Sequence, residues 1–82
     1  MKTTDWWARF DLGQRVRYFS ERAGEWRDGE VRRIERWLGN DGKQRCTIEV
    51  ARITMGAVER AWGYCFDESN REYLRMLDQG KL

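Results

Sequence analysis

The chain contains no histidine and no proline, and it has only two cysteines. Without histidine, a serine or cysteine nucleophile lacks its ordinary general base, and a common metal ligand is missing. Cys46 and Cys65 do not form a C-x-x-C pair, so the usual zinc and redox motifs are absent as well. These absences predict a protein that is not an enzyme and that has no catalytic residue, metal site or cofactor.

Large aliphatic side chains and long apolar runs are also scarce. Leu, Ile, Val and Phe make up 15 of the 82 residues, while five Trp and three Tyr supply apolar area in their place. No segment has the apolar run of a signal peptide or of a membrane span. We therefore expect a cytoplasmic protein with reduced thiols and no membrane contact, folded as one domain over residues 1–82.

The charges are nearly balanced, with 16 basic against 14 acidic residues and a net charge of +2. Neither half of the chain is a polycation, so a strong nonspecific affinity for DNA is not implied. Thirteen of the basic residues are Arg, whose planar guanidinium group stacks on rings and grips carboxylates or phosphates in a fork.

Two segments alternate in the way that is typical of half-buried strands. In "RCTIEVARI", Cys46, Ile48 and Val50 fall on one side, and most of the residue types favour strands. In "LGQRVRYFS", Val16 and Tyr18 alternate with basic residues. A helix with an apolar stripe of Leu12, Val16 and Phe19 fits "LGQRVRYFS" nearly as well.

The segment "GEVRRIERWL", residues 29–38, fits both a helix and a strand. As a helix it has one apolar stripe made by Val31, Ile34 and Leu38. As a strand it needs one extra residue between Val31 and Ile34, which is a β-bulge. The next residues, "LGNDGK", are typical of a tight turn that leads into the "RCTIEVARI" strand. That strand needs a pairing partner, and the segment just before the turn can pair with it at the lowest cost in loop-closure entropy. We predict a bulged strand, with the helix as the alternative.

The last third of the chain predicts a strand followed by a helix. "AVERAWGYCF" alternates like a strand, although Val58, Trp62 and Cys65 also fit a helix that Gly63 would interrupt. "SNREYLRML" is interpreted as a short helix over residues 69–78, because Ser69 and Glu72 have the spacing of a capping box.

Taken in order, "LGQRVRYF", "WRDGEVRRI", "CTIEVARI" and "AWGYCF" followed by "YLRML" resemble the Tudor-like and Src-homology-3-like small barrels. Trp26, Gly29, Val31 and Ile34 match the second-strand pattern W-x-x-G-x-V-x-x-I of that family. The resemblance covers roughly residues 12–77. It implies a mainly β, small antiparallel barrel of about five strands, preceded by an N-terminal arm over residues 1–11 and closed by a short C-terminal helix.

The start "GQRVR" also resembles that of the plasmid-borne type II dihydrofolate reductases, which are barrels of similar length. Their active pore carries a Val-Gln-Ile-Tyr run, and the corresponding stretch here is "AWGYC", in which only Tyr64 agrees. No catalytic residue is carried over. An oligomeric, reductase-like or ligand-binding pore is the third functional alternative.

Two sets of residues are candidates for binding. Tudor-like barrels sometimes hold a methylated side chain in an aromatic cage, which the resemblance assigns to Tyr18, Trp26, Trp62 and Tyr64; core packing is the alternative for each. Trp6 and Trp7 precede the first strand and either cover the end of the barrel or form a contact patch. Arginines that share an outer sheet face bind phosphates or a partner's carboxylates, unless they pair with neighbouring Glu residues. These arginines are Arg15, Arg17, Arg32, Arg33 and Arg36.

Together these patterns predict a non-catalytic interaction module that binds a protein or nucleoprotein partner. Its small size suggests an accessory or inhibitory protein of a mobile element. Direct nucleic-acid binding through the arginine-rich face is the second alternative. An exposed edge strand would also allow a homodimer.

Overall fold

A computed structural model describes residues 5–76, except for the side chains of residues 60–62. Its strands are β1 (Arg15–Ser20), β2 (Glu25–Leu38), β3 (Gln44–Thr54), β4 (Ala57–Phe66) and β5 (Leu74–Met76), with a 3-10 turn over Arg71–Tyr73 before β5. They form one antiparallel sheet in the order β4-β3-β2-β1-β5. The mainly β, antiparallel fold predicted from the alternating segments is confirmed.

The ambiguous segment 29–38 is a strand throughout, and it carries the predicted bulge. Val31 lies opposite Val50, and Arg33 lies opposite Glu49, so Arg32 is the extra residue. The bulge lets both Val31 and Ile34 face the core despite their three-residue spacing. The helical alternative is therefore wrong for this segment.

The core lies on one face of the sheet and is built from alternating side chains of the strands and from the N-terminal arm. On β1, Val16 and Tyr18 are completely buried while their neighbours are more exposed. Rings take the volume that aliphatic residues would fill in other small domains. The buried cluster comprises Trp7, Phe10, Val16, Tyr18, Val31, Cys46, Ile48, Val50, Phe66 and Leu74.

The turn between β2 and β3 has the chemistry that "LGNDGK" predicts. The Gly39 N–H donates to the Lys43 carbonyl at 2.8 Å, and the Lys43 N–H donates to Asp41 Oδ1 at 3.1 Å. Gly42 has a φ of 80°, which a residue without Cβ adopts at no steric cost. This turn places the end of β2 beside the start of β3.

Two finer features of the predicted fold are not confirmed. The segment predicted as a helix over 69–78 contains the 3-10 turn and β5 instead, and residues 77 and 78 lie outside the described residues. The Ser69 hydroxyl donates to Asp67 Oδ1 at 2.6 Å in place of capping a helix. Within residues 5–76 no ladder joins β4 to β5, so the sheet is not closed into a barrel by strand pairing.

Candidate binding sites on opposite ends of the sheet

The N-terminal arm brings two adjacent tryptophans to the end of the sheet near the β2–β3 turn. The ring of Trp7 is 7% exposed and belongs to the core, whereas Trp6 is half-buried and packs against it. The two rings meet edge to face, with centroids 5.9 Å apart and an angle of 86° between planes. Phe10 contacts Trp6 edge to face at a centroid distance of 6.3 Å. The two tryptophans thus have different roles, as adjacent rings must.

Trp37 near the end of β2 joins this pair to form a cleft of about 240 Å³. Trp37 is 47% exposed, an unusual exposure for a tryptophan in a domain that depends on rings for its core. Its cross-strand neighbour Arg45 is held by Asp41 at 2.7 Å. We call this site the tryptophan cleft. Its lining residues are Trp6, Trp7, Trp37, Gln44, Arg45, Cys46, Asp67, Glu68 and Ser69.

The acidic side of the tryptophan cleft is held in place by a hydrogen-bonded turn after β4. Asp67 Oδ1 accepts from the Ser69 N–H at 2.9 Å and from the Ser69 hydroxyl at 2.6 Å, and the Asp67 N–H donates to Asn70 Oδ1 at 2.7 Å. The hydrogen bonds from Ser69 hold the pKa of Asp67 below its usual value of 3.8. Glu68 is only loosely paired with Arg71, at 3.9 Å. The cleft therefore combines indole rings with carboxylates.

The indole nitrogen of Trp6 adds an unused polar group. Trp6 Nε1 is buried and has no hydrogen-bond partner among the described residues. Leaving a buried donor unpaired costs about 1 to 3 kcal/mol, so such groups are uncommon in folded proteins.

At the other candidate surface, the outer side of β1, β2 and β3, arginines are already paired with carboxylates. Glu49 is the best placed of these acids: its side chain is 17% exposed and its Oε2 accepts from Arg32 Nη2 at 2.8 Å. Its Oε1 accepts from Arg33 Nε at 3.3 Å. The hydrogen bond from Arg32 is the main reason why the pKa of Glu49 lies below its usual value of 4.5.

Register places acids opposite the two arginines of β1 as well. Arg15 lies opposite Glu30 at 3.7 Å, and Arg17 lies opposite Asp28 at 3.4 Å. These pairs are exposed and contribute little to stability. We call the surface formed by Arg15, Arg17, Arg32 and Arg33 with these acids the arginine face.

Arg36, the fifth predicted member, is not part of that face. It lies opposite the buried Cys46 in the register of β2 and β3, so it projects from the core side of the sheet. Burial raises the pKa of the Cys46 thiol. Burial, and next the charge of Glu49, raise the pKa of Cys65. Raised pKa values disfavour the reactive thiolate at both cysteines.

Among the described side chains predicted as an aromatic cage, Trp26 is not brought together with Tyr18 and Tyr64. Tyr18 is buried and stacks on Tyr64 with ring centroids 4.9 Å apart, which makes this pair part of the core. Trp26 projects from the opposite face, where the Arg75 guanidinium lies 4.3 Å from its ring centroid. The side chain of Trp62 lies outside the described residues. The site that does combine rings with carboxylates is the tryptophan cleft.

Sequence reasoning missed Trp37, Asp67 and Glu68 as site residues. A large ring at the end of a hairpin strand, next to a basic cross-strand partner, is the one signal that pointed to exposure.

Within the described part of the chain there is no group of three or more Cys, Asp or Glu residues arranged to hold a metal ion. In the same residues, no helix has the length and hydropathy needed to cross a membrane. No family model, no curated protein and no solved structure matches this chain.

Proposed function

We propose that the protein is a non-catalytic interaction module that binds a protein partner through the tryptophan cleft, and that the partner places a basic side chain there. The exposure of Trp37 beside Asp67 and Glu68 carries this proposal. Indole faces and carboxylates attract the same cationic group, the first through the ring quadrupole and the second through charge. Tryptophan is also among the residues that contribute most to protein interfaces.

The proposal includes a small barrel of the Tudor-like or Src-homology-3-like type. Two observations support it. β5 returns beside β1, and the long β2 carries a bulge at Arg32 and pairs with β1 through its first half and with β3 from Gly29 onward. Bulged, strongly bent strands are the means by which small sheets curl toward closure. In such a barrel the tryptophan cleft lies at one end.

Nucleic-acid binding through the arginine face is supported less well. Each of its arginines has a carboxylate within 4 Å, so a phosphate would have to displace an internal partner. At the tryptophan cleft Arg45 is already neutralised by Asp41, and the internal pair that a basic partner would compete with is the long Glu68–Arg71 contact at 3.9 Å. A nucleoprotein partner, a homodimer, a cytoplasmic location and a mobile-element origin stay predictions, as does the oligomeric pore.

The test compares two exposed apolar side chains in neighbouring positions. Tagged wild-type protein, W37A and L38A are used for affinity capture from nuclease-treated lysate, followed by quantitative mass spectrometry. Leu38 is 65% exposed and does not line the cleft, so L38A is the matched control. We expect W37A to reduce capture of the specific partner about tenfold or more and L38A to leave it unchanged.

A second variant tests the chemistry of the partner. E68Q keeps the shape of the cleft and removes one charge, so capture should weaken and should become less sensitive to salt. Equal capture by W37A and wild type, or loss of every partner on nuclease treatment, contradicts the proposed function. Unchanged capture by E68Q at all salt concentrations contradicts a basic side chain.

A further inference from the structure

At the opposite end of the sheet, three arginines surround a cavity of about 390 Å³. It lies between the β1–β2 turn, the early part of β2, β3 and β4. We call it the arginine pocket. Its lining residues are Ser20, Arg22, Ala23, Arg27, Arg52 and Tyr64.

The arginine pocket has an excess of positive charge. Arg27 is paired with Glu25 at 3.1 Å. For Arg22 and Arg52, the described residues supply no carboxylate within 4 Å. Three guanidinium groups less one carboxylate leave a local formal charge of +2. Because the tryptophan cleft is acidic, the two ends of the sheet have opposite charge.

Hydroxyl groups complete the surroundings of the pocket. The Ser20 hydroxyl oxygen accepts from the Ala23 N–H at 3.2 Å, which orders the turn that carries Arg22. The Tyr18 hydroxyl is buried, and no described residue is its hydrogen-bond partner. Burial, with Tyr64 as the next cause, raises the pKa of Tyr18, while the charges of Arg52 and Arg27 act in the opposite direction. The raised pKa keeps this phenol protonated.

We propose that the arginine pocket binds a small phosphate monoester or inorganic phosphate. Guanidinium groups bind such tetrahedral oxyanions through paired N–H donors, and Arg remains charged at every relevant pH. A dianionic phosphate matches the local charge of +2, which a single carboxylate does not. Tyr64, which lines the pocket, stacks on the buried ring of Tyr18. This site is independent of the tryptophan cleft.

Binding is measured on the full chain by calorimetry and thermal shift with inorganic phosphate and with phosphoserine, at constant ionic strength set by chloride. Acetate is the carboxylate probe, and a short single-stranded oligonucleotide is the phosphodiester probe. We expect saturable binding of both phosphate probes in the millimolar range or tighter, and none of acetate. Affinity for phosphoserine should rise as pH passes its second pKa of about 6, because the dianion then predominates.

Two substitutions locate the site. R52Q and R22Q should each weaken phosphate binding about tenfold, the loss of one charge-assisted contact. Arg22 is exposed in a turn, so R22Q is informative even where R52Q affects folding. R9Q removes the same charge from the exposed N-terminal arm and is the matched control, which should bind like wild type.

Four outcomes would overturn the proposal. They are no saturable phosphate binding, equal binding of acetate, binding of the oligonucleotide but not of inorganic phosphate, and equal losses in R9Q and R22Q. A pH-independent affinity for phosphoserine would overturn the assignment to the dianion.

Discussion

The arginine face and the arginine pocket contain the same type of side chain, but they differ in how much of its charge is compensated. Every arginine of the face has a carboxylate within 4 Å, whereas in the pocket Arg27 alone has one among the described residues. On the arginine face, antiparallel register sets Asp28 opposite Arg17 and Glu49 opposite Arg33. In the pocket, the residue opposite Arg27 is Tyr18, and the residue opposite Arg52 is Gly29. An arginine count therefore says little about binding, because the charge of a guanidinium is available to a ligand only where neither the residue across the ladder nor a neighbour on the same strand is an acid that pairs with it.

The difference also follows the two faces of the sheet. Outward positions alternate basic and acidic residues between strands, and those pairs are solvated and individually weak. Arg27 and Arg52 occupy positions in register with core residues, at the point where the sheet ends and the core opens to solvent. A guanidinium group at such a position has fewer carboxylates of its own chain to pair with.

The largest expected effect on stability comes from G29A, which would disturb the arginine face and the arginine pocket together. An added Cβ would collide with Val50 Cγ1 and would lie 2.9 Å from the Ala51 carbonyl oxygen and 3.1 Å from Tyr18 Cε1. Backbone and buried atoms cannot move aside cheaply, so we expect G29A to lower the free energy of unfolding by about 2 to 3 kcal/mol in urea titrations.

G63A is the matched control for this prediction. A Cβ at Gly63 meets the Glu49 carboxylate and the Arg32 guanidinium, both at the ends of flexible side chains. The cost should stay within about 1 kcal/mol and should affect only the arginine face. Equal stabilities of G29A and wild type would show that β2 has room to shift.

An intermediate effect is expected from E49Q, which breaks the best pairing of the arginine face alone. Loss of a partly buried carboxylate bonded to two guanidinium groups should cost about 1 to 2 kcal/mol at neutral pH. The folded-state pKa of Glu49 is depressed by Arg32 and Arg33. Its contribution is therefore present above the unfolded value of 4.5 and disappears as pH falls through the lower folded value.

Urea titrations of wild type and E49Q at neutral and acidic pH measure that contribution, and the two stability curves should converge at low pH. R17Q, which breaks an exposed pair at 3.4 Å, is the control and should change stability by less than about 0.5 kcal/mol. A larger effect of R17Q than of E49Q would contradict the central place of Glu49.

The smallest expected effect is a stabilisation, and it sharpens the description of the pocket. Y18F removes a buried hydroxyl that has no partner among the described residues, so it should raise the free energy of unfolding by about 1 kcal/mol without phosphate. Y64F is the control variant, because it removes the hydroxyl of a half-buried tyrosine at the rim of the arginine pocket. Destabilisation by Y18F would show that the hydroxyl has a partner after all.

Much of the strand structure could be predicted from residue alternation. The spacing of Val31 and Ile34 was enough to predict the bulge once the turn after Leu38 had been recognised. The C-terminal helix was the failure, because a capping-box pattern outweighed a short alternation in which Leu74 is buried, Arg75 is exposed and Met76 is half-buried. A three-residue edge strand is too short for its period to be detected before its partner β1 is known.

The candidate sites were less accessible to prediction, since their members are distant in the chain. Nothing in the sequence brings Trp6 and Trp37 to one cleft, or Arg22 and Arg52 to one pocket. For a related reason, Trp26 does not join Tyr18 in the predicted aromatic cage. Trp26 and Tyr18 lie on adjacent strands, but their faces are opposite, and that depends on a register that one residue of slip would reverse.

The sequence by itself determined the class of fold and the inward or outward direction of most strand residues, because the side-chain period of an extended chain is a local property. It also determined that rings would build the core. Only the tertiary structure decided which arginines meet an acid and which tryptophan stays exposed, because cross-strand register and the path of the N-terminal arm bring together residues that no local interaction connects.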